Sequence, residues 1–422
     1  MTKKMTEQFE QERPTQTTRK TEYSFRTGCT LLDVMIGGGV AEGSPAGRII
    51  HYMGESASGK TFFACECIAA AHRQYKDKFH WFYDDAERGY SFEGNSRKLW
   101  GIDVRKPDDI RSTTVEELFY NVRKFLKGLK DDELGIYVVD SLDALGNDDL
   151  NEVAEERMKA GDKGQKYEKG SYGMSAQKFL SQEFFRKIAA ELEEKNSLLI
   201  FLSQYRDNVN AGPYGEKRRV SGGSALKFYC DTEIALKTKE KFMKNGLHYG
   251  SCVEVELKKS KTDRPDRKAL INILFDYGID DISTNIDFIY DLKSEATGKL
   301  NTDTTCQLGD TSDPRYDTEG NTLEGLKNIL LNEGLYEQAS GELKEAGEKR
   351  NKTTYADWLQ TNHPDIFKAY FGEPISRDEL IARADKDKEL RKRLKEQAIA
   401  KWEAREKEIQ SGRTKYLDDD EY

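Results

Sequence analysis

The residues best equipped for chemistry lie in an eight-residue stretch, Gly54-Glu55-Ser56-Ala57-Ser58-Gly59-Lys60-Thr61, which reads G-x-x-x-x-G-K-T. An apolar run, Ile49 to Met53, precedes it, and Phe62 to Ala71, rich in helix formers, follows. Strand, glycine-rich turn and helix in that order make the layout of a phosphate-binding P-loop. Glycines at both ends let the backbone turn tightly, so that its N–H groups and the positive end of the helix converge on a triphosphate. Lys60 supplies a point charge for the β- and γ-phosphates, and the Thr61 hydroxyl is placed to hold Mg²⁺. The plain alternative is a glycine-rich turn that happens to precede a lysine, and the flanks on both sides argue against it.

Three polar residues follow apolar runs of the kind that form strands. Asp140 closes Ile136-Tyr137-Val138-Val139, where a carboxylate at a strand end would hold Mg²⁺ or its waters; alone, it could equally be a turn former. Glu87 comes after the aromatic run His80 to Tyr83 and could polarise a water for in-line attack on the γ-phosphate, or be a surface carboxylate in a charged loop. Gln204 ends Leu198 to Ser203, where a neutral side chain could contact the γ-phosphate and report its loss to the next loop.

These residues need a scaffold that gathers strand ends. Apolar segments at 49–53, 80–84, 135–140, 197–204, 232–236, 252–257 and 270–275 alternate with helical stretches, among them 114–130 and 175–195. That alternation predicts an α/β fold with a mostly parallel central sheet. Ligands of such sheets collect at the carboxyl ends of the strands. Residues 27–39 read as a short amphipathic helix stopped by glycines. Residues 1–26 read as a polar arm with oligomerisation as one role, 27–292 as the ATPase core, and 293–422 as a linker followed by a smaller, mainly helical region with an acidic tail. In that last region Trp358, Phe367, Tyr370 and Phe371 read as a small core, and a charged helix opening at Ser376 reads as either a solvated strut or a partner-binding coil.

The chain has 422 residues, 36% hydrophobic and 34% charged, with a mean hydropathy of −0.80. No apolar run is long enough for a membrane span, so a cytoplasmic protein without membrane partners is expected. Six scattered cysteines show no metal-ligand spacing and read as packing thiols. A net charge of −9 argues against a generic polyanion binder and leaves local charge to decide.

In their order, Thr27-Gly28, Leu31-Leu32-Asp33, Gly47-Arg48-Ile49, the P-loop, Asp85-Ala86-Glu87, Val138-Val139-Asp140-Ser141, Gln204 and Gly222-Gly223-Ser224-Ala225-Leu226-Lys227-Phe228-Tyr229 resemble the RecA recombinases. The last stretch is the most specific. The acidic tail and divergent carboxyl third suggest a phage-type member, similar to bacterial RecA and UvsX-like proteins without closely matching either. The resemblance covers residues 27–292. It implies a RecA-like P-loop core that uses ATP and Mg²⁺, with Glu87 as catalytic glutamate and Gln204 as switch glutamine. Lys259 and Lys261 would match a lysine pair reaching a neighbouring subunit's ATP site, although by themselves they read as a solvated basic stretch. The adenine contact stays unassigned, with Tyr90 and Phe92 as candidates.

The resemblance also places two DNA-binding loops. In the first, Arg157, Lys159, Lys163, Lys166 and Lys169 outnumber Asp162 and Glu168; in the second, Arg206, Lys217, Arg218 and Arg219 outnumber Asp207 and Glu216. Repeated along a helical array, such loops neutralise many phosphates together. Tyr214 is placed to stack between bases. The expected function is a DNA-dependent ATPase that forms filaments on single-stranded DNA and promotes homologous pairing and strand exchange with duplex DNA. Single-strand-binding and mediator proteins are further partners the resemblance suggests. A ring-forming helicase or translocase, or a regulatory paralogue that does not recombine, are the rival readings.

Overall fold

A computed structural model describes residues 23–37, 43–89, 94–106, 111–145, 183–207, 218–220, 223–262, 264–301, 305–307, 323–371 and 374–408. In chain order, β1 (Ser24–Phe25), α1 (Thr30–Gly37), β2 (Ser44–Pro45), β3 (Arg48–Gly54), α2 (Lys60–Tyr75) and β4 (Phe79–Asp84) come first. They are followed by α3 (Ser96–Trp100), α4 (Val115–Gly128), β5 (Leu134–Asp140), α5 (Phe185–Glu194) and β6 (Leu198–Gln204). Next come β7 (Arg206–Asp207), β8 (Arg218–Arg219), α6 (Gly223–Tyr229), β9 (Thr232–Lys244), β10 (Leu247–Ser260), β11 (Arg267–Leu274), β12 (Gly278–Ile279) and α7 (Asp281–Ile289). The last third holds β13 (Thr305–Gln307), α8 (Leu323–Asn332), α9 (Tyr336–Glu345), α10 (Lys352–Asn362), α11 (Pro364–Phe371), β14 (Pro374–Ser376), α12 (Arg377–Ala384) and α13 (Lys388–Glu408).

The central sheet has eight strands in the order β12-β11-β10-β9-β3-β6-β5-β4. The five from β9 to β4 are parallel, as their continuous apolar runs predict for strands covered on both faces. On the far side of β9 the sheet turns antiparallel through β10, β11 and β12, because the hairpin residues Asn245 and Gly246, both with positive φ, allow a direct reversal. Alternate residues of each strand feed two cores. Ile50, Tyr52, Val138, Ile200 and Leu202 face α1, α2 and α7, and Ile49, Tyr137, Val139, Leu199 and Phe201 face α4, α5 and α6.

Four sequence readings change, the last of them the charged helix. Residues 23–26, assigned to the arm, belong to the core, since Phe25 is fully buried and β1 pairs with β2. The helix at the start of the core is not amphipathic but buried from Thr30 to Ile36, because α13 lies over the side that would otherwise meet solvent. Residues 293–301, read as linker, begin with a buried Lys293 that donates to Asn272 Oδ1 at 2.6 Å.

The charged helix is neither strut nor coil. Its buried residues Leu390, Leu394, Ala398 and Trp402 recur every fourth position, which places them along one stripe. That stripe joins the main core, and each buried leucine contributes on the order of 2 kcal/mol. Glu406 accepts from Arg267 Nε at 2.8 Å and from Arg264 at 2.6 Å, and Lys401 donates to the last carbonyls of α7 at 2.8 and 2.9 Å. Between β13 and β14, which pair antiparallel, α8 to α11 form a separate small core around Leu326, Leu330, Tyr355, Trp358 and Phe367. Of the four aromatic residues expected there, Trp358 and Phe367 are buried and Tyr370 is packed at the edge; the Phe371 side chain lies outside the described residues.

Candidate functional site

β3 runs between β6 and β9, and it ends level with β6: its last residue, Gly54, is the register partner of Gln204, the last of β6, and of Leu236 within β9. The loop that follows is tight. A side chain on Gly54 would meet Ser58 Oγ at 2.3 Å and the Leu236 carbonyl at 2.8 Å, and one on Gly59 would meet Ile273 at 2.6 Å with a φ of +94°. Only glycine fits both places. The loop thereby delivers the amino end of α2, with Lys60 as its first residue, to the carboxyl edge of the sheet.

Lys60 Nζ donates to the carbonyls of Gly54 at 3.1 Å and Glu55 at 2.7 Å. Burial pulls its pKa down, and the charges of Asp140, Glu87 and Asp143 pull it back up. These three carboxylates therefore share one electrostatic neighbourhood with the lysine. Ser58 Oγ is buried without a hydrogen-bond partner among the described residues, an acceptor and donor held ready inside the loop.

Thr61 Oγ1 lies 3.4 Å from Asp140 Oδ2, so a hydroxyl and a carboxylate from different elements meet at the first turn of α2. Hard oxygen donors in this pairing suit Mg²⁺. Among the described residues no cluster of three His, Cys, Asp or Glu could hold a metal by itself. Burial, with help from the charges of Glu87 and Asp85, pushes the Asp140 carboxyl up to about 6, against the pull of Tyr83 and Lys60.

Glu87 is exposed but not loose. Its N–H donates to the Asp140 carbonyl at 3.0 Å, and its Oε1 accepts from Ser141 Oγ at 2.5 Å. The turn that carries it is anchored by buried Asp85, whose carboxylate sits 3.9 Å from Arg105 and 3.6 Å from Arg111. Gln204 is half-buried, and its N–H donates to Asp143 Oδ2 at 3.1 Å, while the next N–H, of Tyr205, donates to the Gly54 carbonyl at 3.1 Å. Lys60, Thr61, Glu87, Asp140 and Gln204 thus converge where β3, β4, β5 and β6 end.

A family model for the RecA N-terminal domain matches residues 11–280. This chain belongs to the RecA family. It is 27% identical over 270 residues to Protein RecA of Gloeobacter violaceus, a match covering 63% of this chain and 65% of that protein. With Protein RecA of Mesoplasma florum it shares 28% over 261 residues, covering 62% and 71%, and with that of a Sulfurovum species 30% over 270 residues, covering 63% and 69%. The chain therefore matches about two thirds of the length of these relatives.

Other residues assigned by likeness to RecA fare differently. Lys259 Nζ donates to the carbonyls of Lys227 and, at 3.2 Å, Phe228, so it caps the carboxyl end of α6. Lys261 pairs with Asp231 at 3.1 Å, which also accepts from the N–H of Ile49 at 2.9 Å. Arg157, Lys159, Lys163, Lys166, Lys169, Tyr214 and Lys217 lie outside the described residues, as do Tyr90 and Phe92. Arg206 and Arg219 are register partners in the β7–β8 pair, next to Asp207 and Arg218. That two-stranded stem begins two residues after Gln204.

Sequence reading missed several participants. Phe275 is 40% exposed and stacks on Phe62, its ring centroid 6.2 Å away, one residue past Thr61. Such an open aromatic face beside the P-loop can cover a nucleotide base, but in sequence each phenylalanine looks like core. Asp143 stands three residues beyond Asp140 and carries no motif of its own. Tyr83 falls in an apolar strand, where only its phase against β5 marks it out.

Proposed function

We propose that this protein is a DNA-dependent ATPase that polymerises on single-stranded DNA and promotes homologous pairing and strand exchange. One observation carries this reading: the end of the phosphate loop and the stem of the second basic loop are the same piece of structure. Gly54 meets Gln204 across the β3–β6 ladder, Tyr205 is hydrogen-bonded to Gly54, and Arg206 opens the β7–β8 stem. On this reading, a change at the γ-phosphate position sensed by Gln204 has only Tyr205 to cross before it reaches the β7–β8 stem of the second basic loop.

Bound ATP and Mg²⁺ supply the cleavable phosphoanhydride and the charge that neutralises it. The chain's own residues do the rest. Lys60 leaves the loop carbonyls for the phosphates, Thr61 and Asp140 offer oxygens to the metal, and Glu87, held by Ser141, accepts a proton from the attacking water. Phe275 with Phe62 walls the base, and Gln204 senses the terminal phosphate. Lys259 and Lys261 hold the segment after the second loop through α6 and Asp231, and on this reading would exchange those contacts for a nucleotide bound by the adjacent copy. For self-association this reading points to β4, which among the described residues pairs with a strand on one side only and borders a cavity of about 380 Å³ lined by His80, Trp81, Phe82, Lys106, Lys124 and Phe125. An unpaired strand edge accepts a strand from another chain, and contacts of that heterologous kind propagate into filaments.

The test is the affinity for a single-stranded oligonucleotide with a slowly hydrolysed ATP analogue, with ADP and without nucleotide, followed by electron microscopy and a strand-exchange assay. Tight binding with the analogue alone, extended helical filaments and exchanged product are expected. Equal affinity in all three conditions overturns the reading, and closed rings without exchange replace it with a translocating motor.

A further inference from the structure

Asp140 does not reach the metal position alone. Tyr83 is fully buried in the core below the site and lies opposite Val138 in the parallel β4–β5 ladder. Its hydroxyl donates to Asp140 Oδ2 at 2.5 Å, and the same oxygen faces Thr61 Oγ1 at 3.4 Å. The ring is held in the core packed between α2 and the sheet. An aspartate at a strand end otherwise turns freely about two side-chain torsions. Its neighbours Glu87 and Asp85 carry like charge, and would drive it away from the place where Thr61 needs it.

We infer that Tyr83 is a positioning residue for the metal, fixing the Asp140 carboxylate beside the Thr61 hydroxyl so that both meet Mg²⁺ in one geometry. This rests on the P-loop reading of the site. Residues that orient metal-associated carboxylates typically change metal affinity about 10–100-fold when removed. Tyr83→Phe keeps the ring and takes away the hydrogen bond, so its effect should fall on metal use and not on the loop that grips the phosphates.

The experiment titrates Mg²⁺ against the full-length protein and its Tyr83→Phe variant, reading binding of a fluorescent ATP analogue. Mn²⁺ occupancy is followed in parallel by electron paramagnetic resonance, and thermal melting without nucleotide checks the fold. The variant should need about tenfold more Mg²⁺ for half-saturation. Its nucleotide affinity in excess chelator should equal that of the unaltered protein, and its turnover should recover at high Mg²⁺. An unchanged Mg²⁺ requirement overturns the assignment. So does a loss of binding that is the same at every Mg²⁺ concentration and tracks a lowered melting temperature, which would make Tyr83 only a packing residue. The mutation-independent control is the unaltered protein: if it shows no Mg²⁺-dependent nucleotide binding at all, the P-loop reading has failed, whatever Tyr83 does.

Discussion

Ser141 donates a hydrogen bond to Glu87 across 2.5 Å, joining the residue after Asp140 to the residue proposed to address the water. Together with the Glu87 N–H on the Asp140 carbonyl, this fixes an exposed acid to the end of a buried strand. Glu87→Gln should therefore keep nucleotide affinity and lower the DNA-stimulated ATPase rate by about 10²–10⁴-fold, the usual worth of a placed general base. Ser141→Ala removes one hydrogen bond to a charged group, about 1.5 kcal/mol, and should slow turnover about tenfold. Steady-state phosphate release measures both, and a Glu87→Gln rate equal to that of the unaltered protein denies Glu87 its role.

Lys60 rests on two carbonyls of its own loop, contacts that under the proposed function it exchanges for phosphates. Replacing it by alanine should abolish hydrolysis. It should also remove the rise in melting temperature that ATP with Mg²⁺ gives, because ligand protection follows affinity directly. Hydrolysis left intact would show that the triphosphate lies elsewhere.

Acid sensitivity should arise from His51. This residue is on the P-loop strand, fully enclosed, with neither ring nitrogen hydrogen-bonded among the described residues. Burial pushes its pKa down to about 3, so the fold holds it neutral while the unfolded chain takes up a proton below about pH 6.5. The unfolded state binds more protons in that window, and stability, complete above about 6.5, falls as the pH drops toward 3. Between pH 6.5 and 5 the loss comes to about 2 kcal/mol. Asp140, raised to about 6, acts in the opposite sense between its ordinary carboxylate range and 6, where the folded form keeps its proton. His51→Leu should thus flatten the decline of melting temperature on acidification in the nucleotide-free protein. An unchanged slope would assign the acid sensitivity to other groups.

The parts of the fold legible in sequence were those with local causes. The P-loop could be read because its glycines, lysine and threonine stand at fixed spacing between an apolar run and a helix-forming run, and the parallel strands because they are largely apolar. That Gly54 and Gly59 also make room for Leu236 and Ile273 could not be read. Asp140 could be placed at the sheet edge because it closes β5, and Glu87 because it follows the end of β4 by three residues. The parts that stayed hidden depend on who covers whom. Nothing in residues 30–36 says that α13, more than 350 positions later, will bury their outer side. Leu390, Leu394, Ala398 and Trp402 sit among so many charges that their stripe is faint, and its meaning comes from Arg267 and Arg264 waiting for Glu406. Phe275 is similar: an aromatic just past the end of β11 comes to stack on Phe62 of α2 only through the fold.

That covering helix leads to the last prediction, which concerns what can be removed from the carboxyl third. β13 and β14 are in register, Gln307 against Pro374, so the two ends of the segment that carries α8 to α11 already lie side by side. Replacing residues 308–373 with a short glycine-containing turn should close a hairpin and leave the remainder soluble, with a melting temperature within a few degrees of the intact chain and ATPase activity retained. Ending the chain at Ser376 is different. It strips Leu380, Ala384, Leu390, Leu394, Ala398 and Trp402 from the main core and leaves Arg267, itself buried, without Glu406. At roughly 2 kcal/mol for each large side chain, the loss is comparable to the whole net stability of an ordinary domain. That protein should aggregate or melt far below the intact one. Soluble yield and differential scanning calorimetry on the two deletions decide the matter: equal stability would mean that α12 and α13 are dispensable to the core. The internal deletion, once shown to fold, is also the proper form in which to ask whether α8 to α11 take part in strand exchange, because any defect it shows cannot be blamed on an uncovered α1.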